Sequence, residues 1–368
     1  MNFDVRMFAK NLRCARTERG LTQCALGKLI GFSEKTVSKW ECGAAVPDIE
    51  TLFSLAEVLR VTVDALFASE TKYYLGIDGG GTKTALALTD DTGKILRSLC
   101  VSACNPVDIG LDNAKRIVKD AIHEICRGIR FSSVSVFAGI AGGSTARVRE
   151  ELADFFGSFG FAHVRNGSDN ECIVAAGLGK QDGMTVILGT GFCIYTQKKG
   201  KLKRISGWGY LLDDGGSGYN LGRDALHAYY AAYDGTGDAT LLTEEIERIY
   251  PDGAEILLPR VYEDSKHTIG SLAPAVFTAC ERGDAVATEI LKRNIDVAAK
   301  LIRSAARTFE ETQIPVVLAG GLTKEKLMVD GLRAALRKES HFCIKILPEE
   351  PVMGALLLAR ELEDTDNE

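Results

Sequence analysis

Apolar residues Phe8, Leu12 and Ala15 fall three and four positions apart, one face of a helix that stops at Gly20. Thr22 caps a second helix with Leu26, Leu29 and Ile30 on its inner face, and Gly31–Phe32 makes a tight turn. Ser33 caps a third helix, Glu34–Trp40, with Val37 and Trp40 inward. Pro47–Asp48 opens a fourth, carrying Leu52, Leu55, Ala56 and Leu59, and Val63–Leu66 closes the series. Ala68–Lys72 is a polar hinge, and beyond it the period drops to two. Tyr73–Asp78 predicts a buried strand, Gly79-Gly80-Gly81-Thr82-Lys83 a turn, and Thr84–Thr89 a returning strand. Met184–Leu188 is a second such strand ending in Gly189-Thr190-Gly191, followed by Phe192–Tyr195 and a turn at Gly200. Val316–Ala319 is a third, ending in Gly320-Gly321 and leading into a helix from Thr323. Ala114–Gly128 and Ala285–Phe309 have the pattern of amphipathic helices packed on a sheet.

With 368 residues, 46% hydrophobic and 26% charged, the chain is globular and large enough for two or three domains. Its net charge of −6 argues against a polyanion binder along the whole length but hides a local split. Arg6–Lys39 holds eight basic and two acidic residues, whereas Trp40–Glu70 holds one basic and six acidic. One face of the first module therefore seeks a polyanion, and helix, short glycine turn, helix is the geometry whose second helix enters a major groove. The longest uncharged runs, Phe131–Ala146 and Gly183–Gln197, fall short of the ~18 residues that a membrane helix needs. Met1–Arg6 lacks the basic-then-apolar start of a signal peptide. The ten cysteines form no CxxC pair, and His123, His163, His227, His267 and His341 stand isolated. A cytoplasmic protein with reduced thiols and no membrane association is expected.

A triple glycine between strands lets backbone N–H groups press against an anion without Cβ interference. Three strand-then-glycine turns, about 110 and 130 residues apart, suit a bilobal nucleotide clamp, with turns for the phosphates and for the nucleoside. Asp78, at a strand end, is placed for a hydrated Mg²⁺, and Thr82 and Lys83 for phosphate oxygens. Neither GxxxxGK[ST] nor GxGxxG occurs, which excludes those two nucleotide motifs.

Residues 5–67, with "LTQ", "S..T.S.WE.G" and "P....L..LA..L.V....L", resemble the five-helix DNA-binding domain of the Cro/phage-repressor (XRE-type) family. The resemblance implies an all-α helix-turn-helix domain over 1–67 that reads operator DNA as a homodimer. By it, Gln23 meets phosphate and a base, Lys35, Thr36, Ser38 and Lys39 face the groove, and Trp40 and Glu41 are structural. Cys24 and Gly27 depart from the pattern, and a glycine inside the second helix costs about 1 kcal/mol.

From Tyr73 to Arg360, "GIDGGGTKTALALTD", "GTGF", "GWGYLLDDGGSGYNLGRDAL" and "LAGGL" follow in an order similar to the N-acetylglucosamine kinase family, which overlaps the BadF/BadG/BcrA/BcrD-type ATPases. Both lie in the superfamily of sugar kinases, actin and heat-shock-protein ATPases. The resemblance implies a two-lobed α/β domain (ribonuclease H-like, actin-like): a linker at 68–72, lobe I over 73–180, lobe II over 181–350, and a helix near 351–363 packing back on lobe I. It implies ATP and Mg²⁺, with Gly79, Gly80, Gly81, Thr82, Lys83, Gly189, Thr190, Gly191, Gly320 and Gly321 at the phosphates and Asp78 at the metal through water. Asp169, in "NGSDNECIVAAG", matches the family's catalytic base, although "GSDN" is also a helix-cap pattern. Asn105, Thr190, Trp208, Gly209 and Asp214 match its sugar contacts. Gly215 stands where the family has Glu, and Asn170 where it has Ala.

The chemistry requires such a base, because a sugar hydroxyl attacks ATP only if a carboxylate takes its proton. An amino-sugar kinase fused to a DNA-binding regulator is the reading that uses Asp78, Asp169, Thr190 and Asp214 together. A sugar- or nucleotide-sensing regulator using the kinase fold without catalysis is the alternative. A dehydratase-activating ATPase would need paired cysteines for an iron–sulfur cluster, and Cys100 and Cys104 flank no phosphate motif in the sequence.

Overall fold

Three of the N-terminal helices start where a side chain takes over an orphan backbone N–H. Thr22, Ser33 and Asp48 accept from the amides of Ala25, Thr36 and Thr51. The computed structural model describes residues 5–67, 72–143, 146–213, 215–339 and 341–364, and the chain divides into two units, Met1–Tyr73 and Tyr74–Glu368. In the first unit α1 (Val5–Glu18), α2 (Gln23–Ile30), α3 (Glu34–Glu41), α4 (Ile49–Leu59) and α5 (Val63–Phe67) enclose Phe8, Leu12, Leu26, Val37, Trp40, Leu55 and Leu66. Across this core Arg16, buried in α1, donates from Nε and Nη2 to Glu41 at 2.5 and 2.9 Å, and from Nη1 to the Leu21 carbonyl at 2.6 Å. A buried ion pair of this kind is costly to break one partner at a time, so Glu41 is structural.

Gly27, the residue that breaks the helix pattern, is a close-approach position. A Cβ there would lie 2.6 Å from the Phe32 carbonyl oxygen, in the turn that feeds α3. The inner face of α2 is thus centred on Leu26, Gly27 and Ile30, and this rotation leaves Leu29, expected inside, 60% exposed. Gly27→Ala should destabilise the first unit by about 1–3 kcal/mol through forced displacement of that turn. Amide hydrogen exchange in α2 and α3 should accelerate about tenfold or more; unchanged exchange would show that the turn yields freely.

Among the described residues the second unit holds ten strands. They are β1 (Tyr73–Gly79), β2 (Lys83–Asp90), β3 (Ile95–Ser102), β4 (Val134–Ile140), β5 (His163–Gly167), β6 (Gly183–Leu188), β7 (Phe192–Lys198), β8 (Lys201–Arg204), β9 (Ile314–Ala319) and β10 (Phe342–Ile346). They form two sheets, β3-β2-β1-β4-β5 and β8-β7-β6-β9-β10, so the same order occurs twice. In each, an antiparallel outer pair gives way to a parallel one: β2/β3 against β4/β5, and β7/β8 against β9/β10. This duplicated topology is the two-lobed α/β architecture expected.

Helix Asp169–Leu178 leaves the first sheet after β5 and also packs on β6 and β9 of the second. Helix Pro351–Asp364 leaves the second sheet and packs on Asp169–Leu178 and on β2, β4 and β5. Gly354 permits this crossing, since a Cβ there would collide with the Cys172 carbonyl. After β9 a 3₁₀ turn, Gly321–Lys324, intervenes, and the helix expected from Thr323 starts at Lys326. All ten cysteines are free thiols. Among the described residues no helix is long and apolar enough to cross a membrane.

Candidate functional site

β5 ends at Gly167, and Ser168 takes the extended backbone of an N-cap. Its hydroxyl accepts from the Asn170 N–H, while the Ser168 N–H donates to Glu171 Oε1 at 3.0 Å, completing a capping box. Arg165 holds the other Glu171 oxygen at 2.8 Å. The cap is therefore Ser168, which leaves Asp169 in the first helical turn with its carboxylate available. Ser168 Oγ donates to Asp169 Oδ1 at 3.0 Å. Burial raises the Asp169 carboxyl above its ordinary range, opposed by the Ser168 hydroxyl and the amide N–H groups of Asn170 and Asp169. Gly139 of β4 lets this turn sit close, a Cβ there lying 3.3 Å from Asp169 Cα.

Asp78, near the end of β1, is the partner group. Burial first, and then the Asp169 charge, push its carboxyl up to about 7 against the opposing pull of Lys83, with Glu350 adding a little. A second carboxylate nearby adds to the cost of ionising Asp78, and Lys83 offsets only part of it. Gly79 follows, with no room for a Cβ because Cys104 Sγ and Ile140 Cδ1 fill the space. Gly80 donates to the Lys83 carbonyl at 2.9 Å and closes the turn, leaving Gly81, Thr82 and Lys83 exposed. Lys83 meets Glu350 only at 3.9 Å, with both side chains mostly exposed, an interaction worth little.

The other two glycine turns are neighbours, because β6 and β9 pair in parallel with Ile187 opposite Ala319. Gly320, at φ +96°, lies against the end of β6, where a Cβ would stand 2.5 Å from the Leu188 carbonyl oxygen. The Gly189 and Thr190 carbonyls accept from Gly218 and Tyr219, fastening that turn to the start of helix Gly218–Tyr233 and leaving Thr190 and Gly191 exposed. Asp169 acts electrostatically on Cys193 and Tyr195 of β7, so it faces the second sheet as well as Asp78.

The sugar-matched residues have mixed surroundings. Trp208 is 66% exposed, and Asp213 accepts from the Trp208 and Gly209 N–H groups at 3.2 and 3.3 Å, closing their loop. Asp214 lies outside the described residues. Gly215 has a packing reason: a Cβ would press to 3.1 Å from Val297, so a larger residue there requires Val297 to give way. Asn105 caps the short helix Pro106–Ile109, its Oδ1 accepting from Val107 at 3.0 Å and its Nδ2 donating to Asp108 at 2.6 Å. Asn294, missed in the sequence, is 1% exposed and supports this region, accepting from the Gly216 N–H and donating to Asp224 at 2.9 Å. Only the helix packing brings it there, and a lone Asn inside an amphipathic helix carries no signal.

In the first unit Lys35 and Lys39 are exposed four residues apart on α3 and share a face. Thr36 and Ser38 are half-buried, and Thr36 Oγ1 lies 2.9 Å from Ser33 Oγ at the cap. Gln23 directs its Nε2 to Glu41 at 2.8 Å, joining the buried ion pair, so its amide nitrogen is engaged within the protein.

Against known proteins, the model of the BadF/BadG/BcrA/BcrD ATPase family matches residues 75–359, and a helix-turn-helix model matches residues 12–66. An N-acetylmuramic acid/N-acetylglucosamine kinase of Clostridium acetobutylicum is 28% identical, over 78% of this chain and 98% of that relative. An N-acetyl-D-glucosamine kinase of Dictyostelium discoideum is 29% identical, over 78% of this chain and 97% of its own. A solved structure from Chromobacterium violaceum superposes with TM-score 0.67 at 24% identity, covering 79% of this chain and all of that one, which supports the fold.

Proposed function

Residues 75–359 make this chain a member of the BadF/BadG/BcrA/BcrD ATPase family, and on that premise we propose an ATP-dependent amino-sugar kinase fused to a DNA-binding regulator. It acts in the cytoplasm as a homodimer on operator DNA. The observation that carries the kinase reading is Asp169: a carboxylate of raised pKa, freed from capping by Ser168 and set beside Asp78 on the face toward β7. A raised pKa makes it a stronger base near neutral pH. The proton of the attacking sugar hydroxyl passes to an Asp169 oxygen as that hydroxyl bonds to the γ-phosphorus and the bond to ADP breaks. Backbone N–H groups of Gly79–Gly81 and Gly189–Gly191, with Thr82, Lys83 and Thr190, steady the charge on the transferring group. Gly320 and Gly321, on the strand end beside the Gly189–Gly191 turn, complete the proposed ATP contacts.

Asp78, whose buried carboxylate carries a cost of ionising that a cation would offset, fits a hydrated Mg²⁺ ligated chiefly by phosphate oxygens. When bound, the ion supplies positive charge at the β- and γ-phosphates. The dehydratase-activator reading loses support because Cys104 is fully buried behind Gly79, away from any surface where a bridging cluster could form. Lys35 and Lys39, with Thr36, Ser38 and the remaining acceptor of Gln23, are the proposed DNA contacts, and Asn105, Thr190, Trp208, Gly209 and Asp214 the proposed sugar contacts.

The test is ATP turnover by the full chain with N-acetylglucosamine, glucosamine, N-acetylmuramic acid, N-acetylmannosamine and glucose. At least one amino sugar should exceed glucose about tenfold in kcat/KM, the discrimination expected when a polar substituent is read. No phosphorylation of any sugar rejects the kinase. Operator gel shifts with and without the same sugars test the coupling, which unchanged affinity throughout would reject.

A further inference from the structure

Along β7 the side chains alternate cleanly. Phe192, Ile194 and Thr196 are buried, Phe192 and Ile194 in the core of the second lobe, while Cys193 and Tyr195 are half-buried on the opposite face. That face meets the helix bearing Asp169: Tyr195 hydrogen-bonds the Asn170 side chain, and Asp169 acts on both Cys193 and Tyr195. β8 pairs with β7 so that Tyr195 stands opposite Arg204, and directly opposed residues of an antiparallel pair share a face. Of the three cations on β8, Lys201 and Lys203 point the other way and Arg204 alone joins this face. The chain then turns back: a Cβ on Gly207 would stand 2.2 Å from Cys193 Cβ, so the loop rests on the same face and brings the Trp208 ring 4.0 Å beneath the Arg204 guanidinium.

Arg204 is exposed, and among the described residues it makes no hydrogen bond or ion pair. Asp213, on the adjoining loop, uses its two oxygens on the Trp208 and Gly209 amides instead. The guanidinium is thus fixed in plane by a ring while its donors are unspent, an arrangement suited to bidentate capture of a carboxylate. Two strand spacings, about 10 Å, separate the backbone of β8 from that of β6, whose end carries the Gly189–Gly191 turn, so Arg204 stands off from that turn.

We propose that Arg204 is a specificity residue that selects amino sugars bearing a carboxylate substituent over neutral ones. The proposal rests on the kinase reading above and names its substrate class. Neutral amino sugars leave the guanidinium without a partner, whereas a carboxylate ether on a ring held at Asp169 would lie toward the face of β7 on which both Asp169 and Arg204 act.

The test compares N-acetylmuramic acid with its methyl ester, which removes the charge and adds one methyl, as substrates of the full-length protein and of Arg204→Gln and Arg204→Lys. The wild type should prefer the acid, and the acid-to-ester ratio of kcat/KM should fall about 10- to 100-fold in Arg204→Gln, chiefly through KM, in line with the strength of charge-assisted bonds. Arg204→Lys should restore part of it. A general loosening of the Trp208 loop would lower acid and ester alike and leave the ratio intact, and that result overturns the proposal. So does an equal rise in KM for ATP. Phosphorylation of the ester and of N-acetylglucosamine without preference for the acid rejects Arg204 and leaves the kinase standing, whereas no phosphorylation of any sugar rejects both.

Discussion

Asp169→Asn should lower kcat for sugar phosphorylation by about 10²–10⁴-fold, the range contributed by a positioned general base. Asparagine has nearly the same shape, and the elements that orient the position do not depend on its charge. Ser168 still caps the helix, Glu171 still completes the capping box, and Arg165 still holds Glu171. The substituted amide still accepts from Ser168 Oγ, so the turn keeps its geometry. What disappears is the capacity to take a proton from the attacking hydroxyl. The loss should therefore fall on kcat, with binding of the sugar, followed by calorimetry, changed by only a few-fold, the pattern of an interaction made in the transition state. Helix content should match the parent, and at neutral pH the variant should melt no lower, because asparagine also removes the cost of holding a raised carboxylate in a buried place. Full turnover by the variant would mean that another group receives the proton and that Asp169 has been misassigned.

The sequence carried the fold because its punctuation is local. A strand ending in glycine is readable at Asp78–Gly81, Leu188–Gly191 and Ala319–Gly321, and all three turn where expected. Caps at Thr22, Ser33 and Asp48 follow from residue type alone. Asp169 was legible as a strand-to-helix carboxylate, but its release from capping rests on Ser168, one residue earlier, which "GSDN" leaves ambiguous. The glycine departures could be noticed yet not explained, because Gly27 answers to Phe32 and Gly215 to Val297, contacts made by tertiary packing. Arg204 was invisible for another reason. A run of Lys and Arg on an edge strand has a ready explanation in protection against edge pairing. Only the register, with Tyr195 opposite Arg204, separates the residue on the cleft face from its neighbours. A one-residue slip would turn it away.

Asp78→Asn should move activity and stability in opposite directions. In the folded chain burial and the nearby Asp169 charge hold the Asp78 carboxyl at about 7, whereas an unfolded aspartate titrates near 3.8. The folded state therefore binds this proton more tightly. Below about pH 4 both states are protonated and the group is neutral in the balance. As pH rises from 4 toward 7 the unfolded chain ionises first, so stability falls over that window and levels off above it. A difference of about three units corresponds to at most ~4 kcal/mol, and relaxation of a half-buried group reduces this to an order of 1–4 kcal/mol. Asparagine removes the penalty. At pH 8, without nucleotide or metal, the variant's second unit should melt higher by about 2 °C or more, and at pH 4 the two proteins should melt together. With ATP and Mg²⁺ the order should reverse, because the parent gains a ligand linkage that the variant has weakened, and turnover should drop by about 10²-fold or more. Differential scanning calorimetry at the two pH values, with and without the ligands, reads all four quantities. A variant that melts lower at pH 8, or by the same margin at both, would show that Asp78 holds the fold together, and its place beside the phosphates would lose its physical basis.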